Sequence, residues 1–157
     1  MNNTIPESLS HLSVAKYRGA KAPHKAVLLL AVIDLIEAKS ITTPFIYIND
    51  ELIAKFDDVW NYYVGDASNF KPDLCKPFYH LQDEPFWRLI GRNKQDDDIP
   101  QDAVRYSIEY LRGTYECAML DRSLFDYLQD EANRGEVRSI LIGNYLTIRP
   151  DSSIQLA

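Results

Sequence analysis

The sequence has few of the residues from which metal and cofactor sites are built. Its 157 residues include two cysteines and six glycines. Cys75 and Cys117 form no CxxC pair, so no zinc site is expected, and we expect free buried thiols in a reducing cytoplasm. The glycines are not clustered, which excludes a P-loop and a dinucleotide-binding loop. We therefore expect no cofactor.

Catalytic motifs are also missing. The three histidines, His11, His24 and His80, are scattered and do not form the metal finger of a His-Asn-His nuclease. No Asp is followed by the Glu-x-Lys pair of two-metal nucleases. Asp83 and Glu84 are adjacent, so on a strand or turn they point apart and do not suit one metal ion. We expect a binding domain rather than an enzyme.

Long apolar runs are absent too. The sequence contains no stretch of about 18 apolar residues, the length needed to cross a membrane. The first ten residues also lack the layout of a signal peptide. Hydrophobic residues make up 46% of the chain and charged residues 25%, which is typical of a soluble globular protein. The sequence predicts one cytoplasmic domain with a sizeable core.

The charge is unevenly distributed. The net charge of −6 taken alone argues against a nucleic-acid partner. Residues 1–26 nevertheless hold four cations against Glu7 alone, a local balance of +3. The acids concentrate in Asp96–Asp98 and in residues 121–136. We therefore expect one basic side that could meet phosphates.

The strongest secondary-structure signal is a helix from His24 to Ala38. Its residues are apolar almost all round, which is typical of a buried central helix, and Pro23 suits the first turn. The pattern then predicts a strand over 45–50 and a helix capped by Asp50 and ended by Gly65.

The second half predicts a small sheet and further helices. Two strands, 78–84 and 86–92, are expected to form a hairpin through Asp83, Glu84 and Pro85. The remaining predicted elements are helices around 8–17, 103–111, 121–132 and 136–145, and a strand over 114–120. Together they predict a single α+β domain of four or five helices around a small antiparallel sheet, with residues 1–20 and 149–157 flexible.

Two segments could bind a ligand. In KAPHK, the start of the central helix has no Ser, Thr, Asp or Asn cap, so its N–H groups, between Lys21 and Lys25, could seat a phosphate. Loop carbonyls or water could satisfy the same groups. In KPFYHLQDEPFWRLI, Pro77 could form the lip of an apolar pocket, or the whole stretch could be ordinary strand packing.

The two segments together resemble the sulfur-binding domain of phosphorothioate-dependent type IV restriction endonucleases, the McrA-like HNH enzymes. APHKAVLLLAVIDLIE is similar to the Leu-rich helix that a Pro-His-basic triplet opens in that family. PFYHLQDEPFWRL is similar to its Pro-Phe strand and the Trp strand that follows. The resemblance covers roughly residues 20–146. It implies recognition of double-stranded DNA in which sulfur replaces a non-bridging phosphate oxygen.

The resemblance also implies roles for individual residues. Pro77 matches the proline that contacts sulfur, and His24 and Lys25 match the pair that faces the DNA backbone. Lys76 stands where tyrosine is frequent, and His80 where the cavity often has a small residue. A further family arginine could be Arg105, Arg92 or Arg112. The remaining candidate sulfur- or DNA-binding residues are Phe78, Tyr79, Lys21, Arg18, Ser68, Asn69 and Lys71.

The family couples this domain to a nuclease. An HNH nuclease domain, in cis or in trans, is therefore an expected partner beside phosphorothioated DNA. Two other functions stay open: a reader of another DNA modification, such as a methylated base, and a protein-interaction module that docks a peptide on the aromatic stretch.

Overall fold

The computed structural model describes residues 4–66, 68–93 and 99–146, and its elements form an α+β domain. The helices are α1 (Ile5–Ser10), α2 (His24–Glu37), α3 (Asp50–Tyr63), α4 (Cys75–His80), α5 (Ile108–Thr114), α6 (Arg122–Tyr127) and α7 (Glu131–Tyr145). The strands are β1 (Lys16–Tyr17), β2 (Ala20–Lys21), β3 (Phe45–Ile46), β4 (Trp87–Gly91) and β5 (Tyr115–Leu120). The predicted fold class is confirmed.

The described residues hold seven α-helices, more than the four or five predicted. Four of the seven, α1, α4, α5 and α6, have only six or seven residues. Helices this short span fewer than two turns and leave little periodic pattern in a sequence. No helix in the described ranges is long and apolar enough to cross a membrane.

Helix α2 forms the centre of the domain, as its sequence predicts. Eleven of its fourteen residues are buried, and it contacts α3, α4 and α7. Arg138 of α7 ties its exposed side by ion pairs to Asp34 and Glu37, with N–O distances of 2.8 and 2.7 Å. Three other helices therefore enclose α2.

The sheet is small and antiparallel, in the order β3-β5-β4. Trp87 of β4 lies opposite Leu120 of β5, and Ile46 of β3 lies opposite Ala118. A separate two-stranded hairpin pairs Lys16 with Lys21 and Tyr17 with Ala20. That hairpin lies directly before α2.

The predicted strand over 78–84 is wrong, because this segment is helix α4 followed by a 3₁₀ turn, Leu81–Asp83. The carboxylate of Asp73 accepts the N–H groups of Cys75 and Lys76 at 2.9 and 3.2 Å, which starts the helix. Pro77 fits its first turn, where no N–H is needed. Strand β4 pairs with β5 instead of forming the predicted hairpin.

Other boundaries also differ from the predictions. Residues 8–17 are not one helix, because the Thr4–Glu7 capping box starts α1 at Ile5 and the chain turns to β1 at Lys16. Asn49, rather than Asp50, caps α3.

Capping residues also set where the later helices begin. Ser107 caps α5 and delays its start, so residues 103–111 are not one helix. Asp130 caps α7 and separates it from α6, which divides the helix predicted over 121–132. The strand predicted over 114–120 is confirmed as β5. Asp96–Asp98 and the predicted flexible tail over 149–157 lie outside the described residues.

Candidate functional site

An open cavity of about 810 Å³ lies where the β1–β2 hairpin, the start of α2, the loop before α4 and α4 itself meet. Seven of the residues predicted from the sequence line it: His24, Lys25, Asn69, Lys71, Lys76, Pro77 and His80. These positions are separated by as many as 56 residues along the chain. The fold therefore brings the two candidate segments to one site.

Pro77 contributes the buried apolar part of α4 to this cavity. Its neighbours Phe78 and Tyr79 are 1% and 6% exposed and belong to the core instead of lining the cavity. The indole N–H of Trp87 donates to the carbonyl of Phe78 at 2.9 Å. These contacts anchor the two residues that follow Pro77 in the core.

Aromatic side chains form another part of the cavity wall. Tyr17 and Phe70 line the cavity and meet edge to face, with ring centroids 6.3 Å apart. Phe70 also meets the ring of His24 edge to face at 6.0 Å. The result is an apolar surface that includes two prolines, Pro72 and Pro77, and two aromatic rings.

His24 links α2 to the loop over 68–73. Its Nε2 lies 2.7 Å from the carbonyl oxygen of Lys71, and because that oxygen can only accept, Nε2 carries the proton. The ring packs on Trp60 with centroids 4.8 Å apart. Burial lowers the pKa of His24 below 6.5 despite the hydrogen bond to Lys71. Burial therefore favours the uncharged ring, in which Nδ1 is an acceptor.

His80 and Lys76 share Tyr106 as a neighbour. The Tyr106 hydroxyl lies 3.0 Å from Nε2 of His80, and the ammonium of Lys76 lies 5.8 Å from the centre of the Tyr106 ring. Burial lowers the pKa of His80, and the nearby carboxylate of Asp83 partly offsets this effect. Tyr106 therefore orients two cavity side chains, a role that no local sequence pattern indicates.

Lys25 lies inside the cavity wall. Its ammonium is 2.6 Å from the carbonyl of Ser13 and 3.1 Å from the carboxylate of Glu84, which also accepts the N–H of Ser13 at 2.9 Å. The side chains of Lys25 and Glu84 are each 8% exposed. This network joins Ser13 to α2 and to the turn after α4.

Two carboxylates also line the cavity, those of Asp73 and Asp83. The Asp73 carboxylate accepts the N–H groups of Cys75 and Lys76 at the start of α4. The start of α2, by contrast, has no side-chain cap: Pro23 stands at the cap position, and its carbonyl accepts the N–H of Val27 at 2.9 Å. The described residues contain no group of three or more metal-ligating side chains.

The other predicted site residues lie around the cavity or away from it. Arg18 and Lys21 belong to the hairpin, and the Ser68 hydroxyl accepts the N–H of Phe70 at 3.0 Å in the loop. Arg105 is exposed and does not line the cavity. Arg92 and Arg112 line a separate cavity of about 240 Å³. The arginine expected to complete the site is therefore not found in the main cavity.

Comparison with solved structures supports the fold. The chain superposes on the sulfur-binding domain of ScoMcrA, a structure complexed with phosphorothioated DNA, with a TM-score of 0.65 and 16% identity. The alignment covers 98% of this chain and 94% of that one. No family model and no curated protein matches the chain. The resemblance predicted from the sequence is thus confirmed for the fold.

Proposed function

We propose that this domain binds double-stranded DNA in which one non-bridging phosphate oxygen is replaced by sulfur, and that the sulfur contacts the ring of Pro77. One observation carries the proposal. The Pro77 ring shares a cavity with two aromatic rings and with exposed lysines, within a fold shared by a sulfur-binding domain complexed with phosphorothioated DNA.

The chemistry of the cavity suits this ligand. Sulfur is larger, softer and more weakly hydrated than oxygen, so contact with an apolar ring favours it. A phosphate oxygen in the same place would lose hydration without gaining a hydrogen bond. The apolar walls thus favour sulfur over oxygen, while positively charged side chains around the cavity attract the DNA backbone.

The backbone contacts come from exposed cations and from the start of α2. Lys71 and Lys76 are exposed at the cavity, and Lys21 adds positive charge in β2 of the hairpin. The first N–H groups of α2, which has no side-chain cap, add a partial positive charge suited to a phosphate. Lys25 and His24 shape this surface through Glu84 and the Lys71 carbonyl.

Polar side chains beside the cavity can contact bases or sugars. Asn69 is exposed and lines the cavity, and Ser68 lies next to it in the loop. Arg105, exposed near Tyr106, is the arginine that we propose to reach the flanking backbone. Such contacts give a preference for particular base contexts on top of the sulfur contact.

We further propose that the domain is a targeting module and not itself an enzyme. An HNH nuclease domain, in cis or in trans, would cleave the DNA that this domain selects, as part of a cytoplasmic type IV restriction system. Pulldown with the nuclease and cleavage of sulfur-modified DNA only in the presence of this domain would test the partnership.

The binding proposal is tested by titrating the domain with two duplexes of one sequence that differ by a single sulfur. A preference of about tenfold or more, roughly 1.4 kcal/mol, supports the apolar sulfur contact. Equal affinity for both duplexes would leave a general DNA binder or a reader of another modification. A protein-interaction module would bind neither duplex.

A further inference from the structure

The β1–β2 hairpin has an unusual turn. Its two central residues, Arg18 and Gly19, have φ angles of 54° and 82°, as in the type I′ turn that favours Asn-Gly. An arginine in the left-handed region is strained, and asparagine would relieve that strain. Strain of this kind is concentrated at functional sites, which directs attention to the Arg18 side chain.

The tip of the hairpin is exposed and positively charged. Lys16, Tyr17 and Arg18 are exposed, and Cζ of Arg18 lies 5.3 Å from the centre of the Tyr17 ring. In the part of the chain that the structure describes, neither Lys16 nor Arg18 forms an ion pair with a carboxylate. The Arg18 guanidinium therefore lies near the Tyr17 ring, and no carboxylate among the described residues pairs with it.

The base of the hairpin is fixed to the rest of the domain. The N–H of Ala22 donates to the carbonyl of Ala15 at 2.7 Å, and the ammonium of Lys21 lies 5.2 Å from the centre of the Tyr145 ring. Tyr17 lines the main cavity and contacts Phe70. The hairpin thus projects in a defined direction beside the proposed sulfur site.

We propose that this hairpin enters the major groove of the bound DNA and that Arg18 reads a guanine there; the proposal rests on the function proposed above. A two-stranded ribbon fits the major groove of B-DNA, which is about twice as wide as the minor groove. The fork of an arginine matches the O6 and N7 acceptors of guanine. Tyr17 acts as a positioning residue that holds the guanidinium.

The guanine should lie close to the modified phosphate. Tyr17, the neighbour of Arg18, lines the same cavity as Pro77, so the hairpin tip lies within a few base pairs of a phosphate bound there. The test therefore uses sulfur-modified duplexes in which each of the three base pairs on either side of the sulfur is changed in turn. A matching set without sulfur is titrated in parallel.

The variant Arg18→Asn removes the guanidinium and places a residue that the turn favours, so the fold is kept. The matched control is Lys39→Asn: Lys39 is also an exposed cation with a positive φ, 65°, but it follows the far end of α2. We expect the wild type and the control to prefer guanine at one position by about tenfold. Arg18→Asn should lose that preference and keep its preference for sulfur.

Modified bases identify the groove. At the preferred position, 7-deazaguanine lacks the major-groove N7 acceptor and should weaken binding of the wild type but not of Arg18→Asn. Inosine lacks the minor-groove amino group and should bind as guanine does. Sensitivity to inosine alone would overturn the proposed major-groove contact.

Other outcomes separate the two proposals. A sulfur preference without any base preference that depends on Arg18 overturns the role of the hairpin and leaves the sulfur site intact. An Arg18-dependent guanine preference with equal affinity for both backbones overturns the sulfur site alone. Failure to bind any duplex overturns both.

Discussion

The ammonium of Lys25 lies 3.1 Å from the carboxylate of Glu84, and both side chains are buried. The pair joins the start of α2 to the turn after α4, which are the two segments that the sequence singles out. It also binds both backbone polar groups of Ser13, on the third side of the cavity. This buried pair therefore links three segments of the chain that line the cavity.

The first prediction concerns this pair. Lys25→Met leaves the Glu84 carboxylate buried without its cation and should destabilise the fold by about 3–5 kcal/mol. The double variant Lys25→Met/Glu84→Leu removes both charges and should recover most of that loss. Urea denaturation of the wild type, the single variant and the double variant gives their free energies of unfolding. Equal destabilisation of the single and double variants would contradict the pairing.

The second prediction concerns Pro77. Pro77→Ala should remove discrimination between sulfur and oxygen while the fold survives, because alanine is tolerated in the first turn of α4. Pro72→Ala is the control, since Pro72 is exposed in the loop and also lines the cavity. The ratio of the two affinities is measured for each variant. If Pro77→Ala still prefers sulfur and Pro72→Ala does not, the sulfur contacts the loop instead.

The third prediction concerns Lys76. Lys76→Gln should weaken binding to modified and unmodified DNA alike and reduce the slope of log affinity against log salt by about 1. The control Lys39→Gln removes an exposed cation that follows the far end of α2 and should leave the slope unchanged. A slope that Lys76→Gln does not alter would exclude Lys76 from the phosphate contacts.

The fourth prediction concerns pH. Burial lowers the pKa of His24 in the folded state below its ordinary value of 6.5, so the unfolded chain binds a proton that the folded chain excludes. Stability is therefore complete above about pH 6.5 and falls as the pH drops toward the folded-state pKa. His24→Phe should flatten this fall when unfolding is measured between pH 7.5 and 5.5. Part of the fall in stability should remain in this variant, because the pKa of His80 is also lowered.

His24→Phe should also be less stable than the wild type at pH 7.5, because the hydrogen bond to the carbonyl of Lys71 is lost. The variant His11→Phe serves as the control for an exposed histidine. An identical pH dependence in the wild type and His24→Phe would contradict this prediction, because it would mean that folding does not change the pKa of His24.

The sequence predicts the centre of this domain well and its surface less well. Helix α2 is apolar on nearly every side and long, so its position follows directly from its composition. The sequence predicts a strand over 78–84, since Phe and Tyr favour strands, but α4 covers Cys75–His80. The Asp73 carboxylate accepts the N–H groups of Cys75 and Lys76, and Cys75 and Phe78 are buried three residues apart, which favours a helix there.

The candidate site could be predicted in part. His24 and Pro77 share one cavity, as the pairing of the two motifs indicates. The aromatic wall of Tyr17 and Phe70 and the orienting role of Tyr106 depend on contacts between residues far apart in sequence. Such contacts leave no local pattern, whereas the Arg18-Gly19 turn does leave one, since a glycine between short polar segments indicates a turn.

The most direct test of the central claim uses the two diastereomers of a single phosphorothioate. Both duplexes have the same sequence, charge and composition, and only the direction of the sulfur differs. If Pro77 forms the sulfur contact, one diastereomer should bind about tenfold or more tightly than both the other diastereomer and the unmodified duplex, and Pro77→Ala should equalise all three. Equal binding of both diastereomers by the wild type would contradict a sulfur site on one wall of the cavity.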